Sequence, residues 1–212
     1  KEFALITNLI NGESEIFFPG NDLSEMFSKY SEEIEKIFNL NKNGIIENSE
    51  IFVQIYKNPI KVIIVGAVDI SIYLIEFAKN LNFEIIIVDP RGYFASKERF
   101  PDTKIINKWP NEAFDEIETN SSTALVTLTH DPKIDDPALQ YALKNKFFYI
   151  GALGSKKTHE KRCSRLIEAG FKEIELEKIN GPIGIKLGGK SPSEIALSII
   201  SQLVYEKYKN KI

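Results

Sequence analysis

The sequence is poor in the residues on which several classes of protein depend. It has one cysteine, Cys163, and two histidines, His130 and His159, in 212 residues. A single cysteine cannot close an internal disulfide and suits a reducing, cytoplasmic compartment. Three soft ligands are too few for a structural zinc site, and no metal site is expected. No apolar stretch approaches the roughly 20 residues of a membrane span, and no basic-then-apolar opening resembles a signal peptide. The formal charge is only −3, so nothing general draws the chain to nucleic acid or to an anionic membrane, and any anion site must be local. Core-forming residues are not scarce. With 43% hydrophobic residues, the chain can bury one α/β domain and a small added module.

Residues 1–57 read as that module. Short apolar runs at 3–6 and 15–18 flank Asn11-Gly12, a pair suited to a hairpin turn. Asn21 or Asp22 is placed to cap a helix. Its apolar stripe (Leu23, Met26, Phe27, Tyr30, Ile34, Ile37 and Phe38) recurs every three or four residues up to a stop at Asn43-Gly44. A β-rich run over 51–56 follows, and Asn58-Pro59 breaks the pattern.

From residue 58 to 212 strands alternate with helices, the pattern of a Rossmann-like, doubly wound parallel sheet in the α/β class. Residues 62–65 are a continuous β-branched run, as in a strand buried on both faces, and residues 84–88 repeat that signature. Further strands are expected at 105–106, 123–128 and 147–150. Helices are expected over 70–81, from an Asp136-Pro137 cap to 144, over 156–169, and from a capping box at Ser191 and Glu194.

In such sheets ligands sit beyond the carboxyl ends of the strands, where strand order reverses. At the first loop, Gly66-Ala67-Val68-Asp69-Ile70-Ser71, only the first glycine of G-x-G-x-x-G is present. Asp69 reads there as a helix cap. Asp89 follows at the spacing of a ribose-binding carboxylate, and Arg91 is placed to clamp a phosphate. Thr129-His130-Asp131 ends the strongest central strand. No serine or cysteine nucleophile accompanies it, and no catalytic residue is assigned. Asp131, Asp135 and Asp136 could hold a hydrated magnesium ion. The strongest local signal is Gly151-Ala152-Leu153-Gly154-Ser155-Lys156-Lys157-Thr158: a strand, two glycines, an N-cap serine and a basic helix. Free N–H groups, the helix dipole and Lys156, Lys157, Lys161, Arg162 and Arg165 all favour an anion there. Cys163 reads as a core thiol. Two later glycine clusters, at 181–184 and 188–189, mark close approach of backbone to a ligand, a neighbouring chain or nothing more than tight turns.

At these loops, from about residue 52 to 205, the chain resembles the C-terminal domain of the XdhC/CoxI family, accessory proteins of xanthine and carbon monoxide dehydrogenases. The resemblance is carried in order by Ile64-Val65-Gly66-Ala67-Val68, Val88-Asp89-Pro90-Arg91, Glu98-Arg99-Phe100-Pro101, Leu128-Thr129-His130-Asp131-Pro132-Lys133, Asp135-Asp136-Pro137-Ala138-Leu139, Tyr149-Ile150-Gly151-Ala152-Leu153-Gly154-Ser155 and Gly181-Pro182-Ile183-Gly184. It implies a non-catalytic maturation factor that binds the molybdenum cofactor in its molybdopterin form, protects it during sulfuration and inserts it into a xanthine dehydrogenase-type molybdenum hydroxylase. The cofactor-binding set expected on this basis is Gly66, Ala67, Asp89, Arg91, Thr129, His130, Asp131, Gly151, Gly154, Ser155, Lys156, Thr158 and Arg162. Implied partners are the hydroxylase itself, a cysteine desulfurase and a second copy of the chain. The chain differs from the family in having Asp69 where histidine is usual and in lacking the glycine-rich motifs of the larger N-terminal domain. Two other readings stay open: an NAD(P)-dependent oxidoreductase, favoured by Gly66 and Asp89, and a ligand-free adaptor that docks part of a hydroxylase.

Overall fold

In a computed structural model that describes residues 2–209, the chain divides between Asn58 and Pro59 into two compact units. In the smaller unit β1 (Phe3–Asn8) and β2 (Ser14–Phe17) form the expected hairpin, Ala4 opposite Phe17 and Thr7 opposite Ser14. The expected single helix is instead two, α1 (Glu25–Ser28) and α2 (Ser31–Leu40). Ser24, not Asn21 or Asp22, takes the N-cap position. The reason is tertiary: the Glu15 carboxylate of the hairpin accepts the Ser24 hydroxyl at 2.5 Å and the Ser24 N–H at 3.1 Å. The stop also comes earlier than Asn43-Gly44, at Asn41, whose φ of 53° is one that asparagine tolerates. Gly44 passes into β3 (Gly44–Ile45), which pairs with β4 (Ile51–Tyr56) to complete a sheet of order β2-β1-β4-β3. Ile6, Phe17, Phe27, Ile34, Phe38 and Val53 form its core.

The larger unit runs β5 (Lys61–Val65), α3 (Asp69–Asn80), β6 (Glu84–Val88), β7 (Lys104–Ile106), α4 (Pro110–Ala113), β8 (Thr123–Thr127), α5 (Pro132–Lys144), β9 (Tyr149–Ala152), α6 (Lys156–Glu168), α7 (Glu173–Leu176), β10 (Ile179–Asn180) and α8 (Pro192–Tyr208). Its sheet has the order β10-β9-β8-β5-β6-β7, with every pair parallel. The chain builds outward from β5 to β7, crosses back, and builds outward again from β8, so strand order reverses between β5 and β8. This is the expected Rossmann-like topology. The two-residue period sorts the core: Val62 and Ile64 pack with α3 and α8, while Ile63 and Val65 face α5 and α6.

Helix α5 departs from expectation. Its N-cap is Asp131, whose carboxylate accepts the Lys133 N–H at 2.9 Å, and Pro132 is the first helical residue. Asp131-Pro132 offers the same cap-then-proline chemistry as Asp136-Pro137, five residues earlier. Pro137 therefore lies inside the helix, and Asp135 and Asp136 are carried inward to 2% and 8% exposure. The capping box of α8 forms as expected.

The segment before α8 is fixed by Gln202. Its side-chain oxygen accepts the Tyr149 hydroxyl and the Gly184 N–H, both at 2.7 Å, and its amide donates to Asn180 at 3.2 Å. Truncation leaves three partners without their bonds, and each unsatisfied buried group costs about 1–3 kcal/mol. Gln202→Ala should therefore lower unfolding stability by about 2–4 kcal/mol, read as a reduced urea midpoint at unchanged m-value.

Candidate functional site

Four neighbouring strands (β9, β8, β5 and β6) deliver their carboxyl ends to one crest, about 14 Å long at about 4.8 Å per strand gap. Backbone bonds continue the ladder into the loops: Gly66 N–H donates to Val88 O, Leu128 N–H to Val65 O, and Leu153 N–H to Thr127 O, at 2.8–2.9 Å. The crest brings together the loops that begin at Gly66, Asp89, Thr129 and Gly151.

Gly66 has φ of 115°, and a Cβ there would meet Thr129 Cγ2 at 2.8 Å. The close approach that requires glycine is thus to the neighbouring loop. Ser71 occupies the place of the third fingerprint glycine, and its hydroxyl donates to Gly66 O at 2.6 Å. Asp89 is fully buried, and its acceptor capacity is taken up. Oδ2 accepts the Ala67 N–H at 2.8 Å and Arg91 Nη2 at 2.8 Å; Oδ1 accepts the Arg91 N–H and Nε, each at 2.9 Å. Burial alone would push the carboxyl up, but these hydrogen bonds outweigh it and hold Asp89 below the usual carboxylate range. Two acceptor sites per oxygen are filled from within the protein, so little is left for a ribose diol. Arg91 is likewise directed at Asp89, and its guanidinium lies 4.9 Å from the Phe94 ring centroid.

Asp69 is not a cap. The N-cap of α3 is Val68, and Asp69, the first helical residue, is an exposed ion-pair partner of Arg99 at 2.8 Å. Arg99 also donates to Ala67 O at 2.7 Å and Phe94 O at 2.9 Å, tying residues 91–99 to the first loop. Between them lies a pocket of roughly 600 Å³, lined among others by Val68, Asp69, Arg91, Tyr93, Phe94 and Glu98. Tyr93 and Phe94 gave no signal in the sequence beyond their proximity to Asp89.

On the other side of the reversal, Thr129 N–H and its hydroxyl both donate to Asp135 Oδ1, at 3.3 and 2.6 Å, and the Asp131 N–H donates to Thr129 Oγ1 at 3.0 Å. This clasp holds His130 exposed with φ of 61°, an unusual conformation for a non-glycine residue. Asp131, Asp135 and Asp136 do not converge on a cation: Asp131 caps α5, Asp135 takes Thr129, and Asp136 pairs with Arg165 at 2.5 and 3.0 Å.

At the fourth loop, Ser155 is the N-cap of α6, accepting the Thr158 N–H at 3.1 Å with its hydroxyl 2.9 Å from Thr158 Oγ1. Lys156 and Lys157 are exposed in the first turn, where helix geometry leaves their N–H groups without an intrahelical acceptor. Arg162, one turn beyond Thr158 on α6, turns inward. It is 2% exposed and donates from Nη2 to Leu153 O at 2.7 Å, while Nε and Nη1 have no partner. Thr127 Oγ1 and Asp135 Oδ2, also buried, are unpartnered too. Arg162 and Asp135 sense each other's charge, so a carboxyl, a hydroxyl and a guanidinium with unfilled hydrogen-bonding capacity lie beneath the crest. A Cβ at Gly151 would meet Ile183 at 2.5 Å, and one at Gly154 would meet Thr158 at 2.9 Å. Those two glycines serve internal packing. The same holds at Gly181, Gly184 and Gly189, which His159, Ser198 and Glu194 approach within 2.5 Å of a would-be Cβ. Cys163 is half-buried against the core, 3.6 Å from His159 Nε2; burial pushes its thiol up and the histidine down.

Residues 62–203 match the family described as the XdhC Rossmann domain. The chain is 36% identical over 102 residues to the molybdenum cofactor insertion chaperone PaoD of Escherichia coli, covering 48% of this chain and 31% of that protein. It is 24% identical over 159 residues to a protein of Bacillus subtilis described as a probable xanthine dehydrogenase subunit, covering 74% of this chain and 46% of that one. A solved structure described as a xanthine dehydrogenase from Bacillus halodurans shares the fold, with a TM-score of 0.70 over 99% of this chain and 60% of that one at 24% identity. The chain thus spans less than half the length of these two curated relatives.

Asp135 makes stability depend on pH. Burial pushes it up to about 6 from 3.8, against the pull of Thr129 and Arg162. A raised folded pKa means that the folded state binds the proton first. The contribution of Asp135 is therefore full at low pH and is lost as pH rises from about 4 to about 6. Asp89, held low, acts oppositely: its contribution is lost as pH falls below the unfolded value. Asp135→Asn should remove a fall in unfolding free energy on the order of 2 kcal/mol between pH 4 and pH 6.5. Urea denaturation across that range measures it, and equal slopes in both proteins would contradict the assignment.

Proposed function

The chain belongs to the XdhC Rossmann-domain family, and from that premise we propose that it binds the molybdenum cofactor and serves maturation of a xanthine dehydrogenase-type molybdenum hydroxylase. The observation that carries this reading is the start of α6: an N-cap serine and two exposed lysines at one end of a crest at which strand order reverses. The ligand has a terminal phosphate, and this terminus suits one. Lys156 and Lys157 supply positive charge, the first-turn N–H groups point outward, and the Arg162 guanidinium beneath adds to the local potential. The unpartnered donors of Arg162 support the same fit, since they leave the loop's underside rich in cationic hydrogen-bonding capacity. When bound, the cofactor supplies the molybdenum centre used by the client enzyme; this chain's residues hold, orient and shield it.

The remaining members of the proposed binding set divide by role. Ser155 and Lys156, with the Gly154 backbone, act at the phosphate. Thr129, His130 and Asp131 present one polar rim over the reversal point, and His130 is its exposed tip. Gly66, Ala67, Asp89 and Arg91 build the opposite wall. Thr158, Gly151 and Arg162 shape the loop from within. The similarity to PaoD, whose name describes cofactor insertion, supports the chaperone role. The saturated carboxylate of Asp89 weakens one of the two features, Gly66 being the other, that favoured an NAD(P)-dependent oxidoreductase. A molybdenum hydroxylase is the partner that the relatives suggest; contact with a cysteine desulfurase and self-association rest on the family resemblance, and a cytoplasmic location on the single cysteine.

Chain produced in cells with an intact cofactor pathway should co-purify pterin and molybdenum. Replacing both Lys156 and Lys157 with Ala should weaken cofactor retention by about tenfold or more, given about 1.5–3 kcal/mol for a charge-assisted hydrogen bond. Arg162→Ala should lower stability as well, because it strips charge from beside buried Asp135. Purified chain that holds neither pterin nor molybdenum and takes up no added cofactor would contradict the proposal and favour the ligand-free adaptor.

A further inference from the structure

The pocket between the start of α3 and residues 91–99 differs in character from the α6 terminus. Its two arginines are neutralised, Arg91 by Asp89 and Arg99 by Asp69, each at 2.8 Å. Glu98 faces the same space with its carboxylate on the surface, hydrogen-bonded to Ser96 and to its own N–H; it forms no ion pair among the described residues. Asp69 and Glu98 balance Arg91 and Arg99 in the lining, and with buried Asp89 behind Arg91 the local sum is one negative charge, which suits a phosphate poorly. Its walls are aromatic instead. Tyr93 is 90% exposed, unusual for so large a ring, and stands edge-on to Phe94 at 84° with centroids 5.7 Å apart. The Arg91 guanidinium, fixed by Asp89, lies 4.9 Å from the Phe94 centroid. A volume of roughly 600 Å³ admits a fused bicyclic ring.

A flat ring with two adjacent N–H donors on one edge satisfies both features. It stacks on one exposed aromatic face, and its donors pair with the two oxygens of a single carboxylate. The 2-amino-4-oxopyrimidine edge has this arrangement, an amino group beside a ring N–H. Adenine and cytosine place a ring acceptor beside their amino group, which a carboxylate repels.

We propose that this pocket binds a planar heterocycle with a 2-amino-4-oxopyrimidine edge, the edge shared by pterins and guanine, stacked on the exposed Tyr93 ring and edge-on to Phe94, with its amino and ring N–H groups donating to Glu98. The pterin source rests on the cofactor reading, whereas a guanine nucleotide would need the pocket alone. With a pterin here and its phosphate toward Lys156, the ligand would lie along the crest, across β6, β5 and β8 to β9. Asp89, the carboxylate that the sequence offers for such an edge, is excluded by its own bonds.

The test uses the full chain and ligands without phosphate. Fluorescence titration with 6-hydroxymethylpterin and calorimetric titration with guanosine are compared with adenosine and cytidine, for the parent protein, Tyr93→Ala, Glu98→Gln and Lys36→Ala. Tyr93 and Glu98 are both on the surface, so neither substitution threatens folding. Pterin or guanosine should bind saturably, at least about tenfold more tightly than adenosine or cytidine. Tyr93→Ala and Glu98→Gln should each weaken that binding by about tenfold, and Lys36→Ala, on the exposed side of α2, should leave it unchanged. Preference for pterin over guanosine, or the reverse, assigns the source. No saturable binding of either, equal binding of all four, or binding indifferent to both pocket substitutions would overturn the proposal. A chain that retains molybdenum cofactor yet ignores free pterin and guanosine loses the pocket and keeps the cofactor reading. One that binds free pterin but never acquires molybdenum does the opposite.

Discussion

The hydrogen bonds to the buried Asp89 carboxylate organise the functional end of the larger unit. One oxygen takes the Ala67 N–H and the other the Arg91 N–H, while the Arg91 guanidinium spans both. A buried carboxylate without such partners would be costly; with them it becomes the joint between the loops of β5 and β6. Everything on that side follows. Arg91 is immobilised over Phe94, Arg99 closes the same segment onto Ala67, and a pocket is left between them. The position that reads as a ribose ligand in a dinucleotide fold is here a structural joint, which moves recognition outward to the residues around it.

Across the reversal point the crest is governed by a second buried acid. Asp135 clasps both polar groups of Thr129, and this lifts His130 into the open with a left-handed backbone. Beneath it Arg162, Thr127 and the second oxygen of Asp135 keep unfilled hydrogen-bonding capacity. The cluster ties α5 and α6 to the strand ends from which Lys156 and Lys157 emerge. The two halves of the crest therefore differ in chemistry: aromatic and mildly acidic near β6, cationic and rich in N–H groups near β9. A ligand with a flat hydrogen-bonding ring at one end and a phosphate at the other matches that polarity.

Much of this was legible in the sequence. The β-branched runs at 62–65 and 85–88 announced strands buried on both faces, and the alternation of strands with helices announced the parallel sheet. Ser155 and Ser191 announced their helices by local capping chemistry. What the sequence concealed depended on contacts distant along the chain. Glu15 decides where α1 begins. Asp131-Pro132 and Asp136-Pro137 are equivalent as local signals, and only the packing of Asp135 and Asp136 against Thr129 and Arg165 selects the first. Arg162 lies among surface cations in sequence, yet its place in the helical period carries it into the core. Gly66, Gly151, Gly154 and Gly181 lie where Thr129, Ile183, Thr158 and His159 come too close for a Cβ, a constraint set by residues distant or unmarked in the sequence. Tyr93 and Phe94 had no pattern to mark them, because a stacking surface has no required spacing.

The central claim is that one continuous crest, from residues 91–99 to the start of α6, holds the molybdenum cofactor. Amide hydrogen exchange of the full chain, with and without added cofactor, tests it most directly. The account predicts slowed exchange in residues 66–69, 91–99, 129–131 and 153–158 together, with residues 2–58 and 185–209 unchanged. Protection confined to residues 2–58, or no protection along the crest at saturating cofactor, would contradict it.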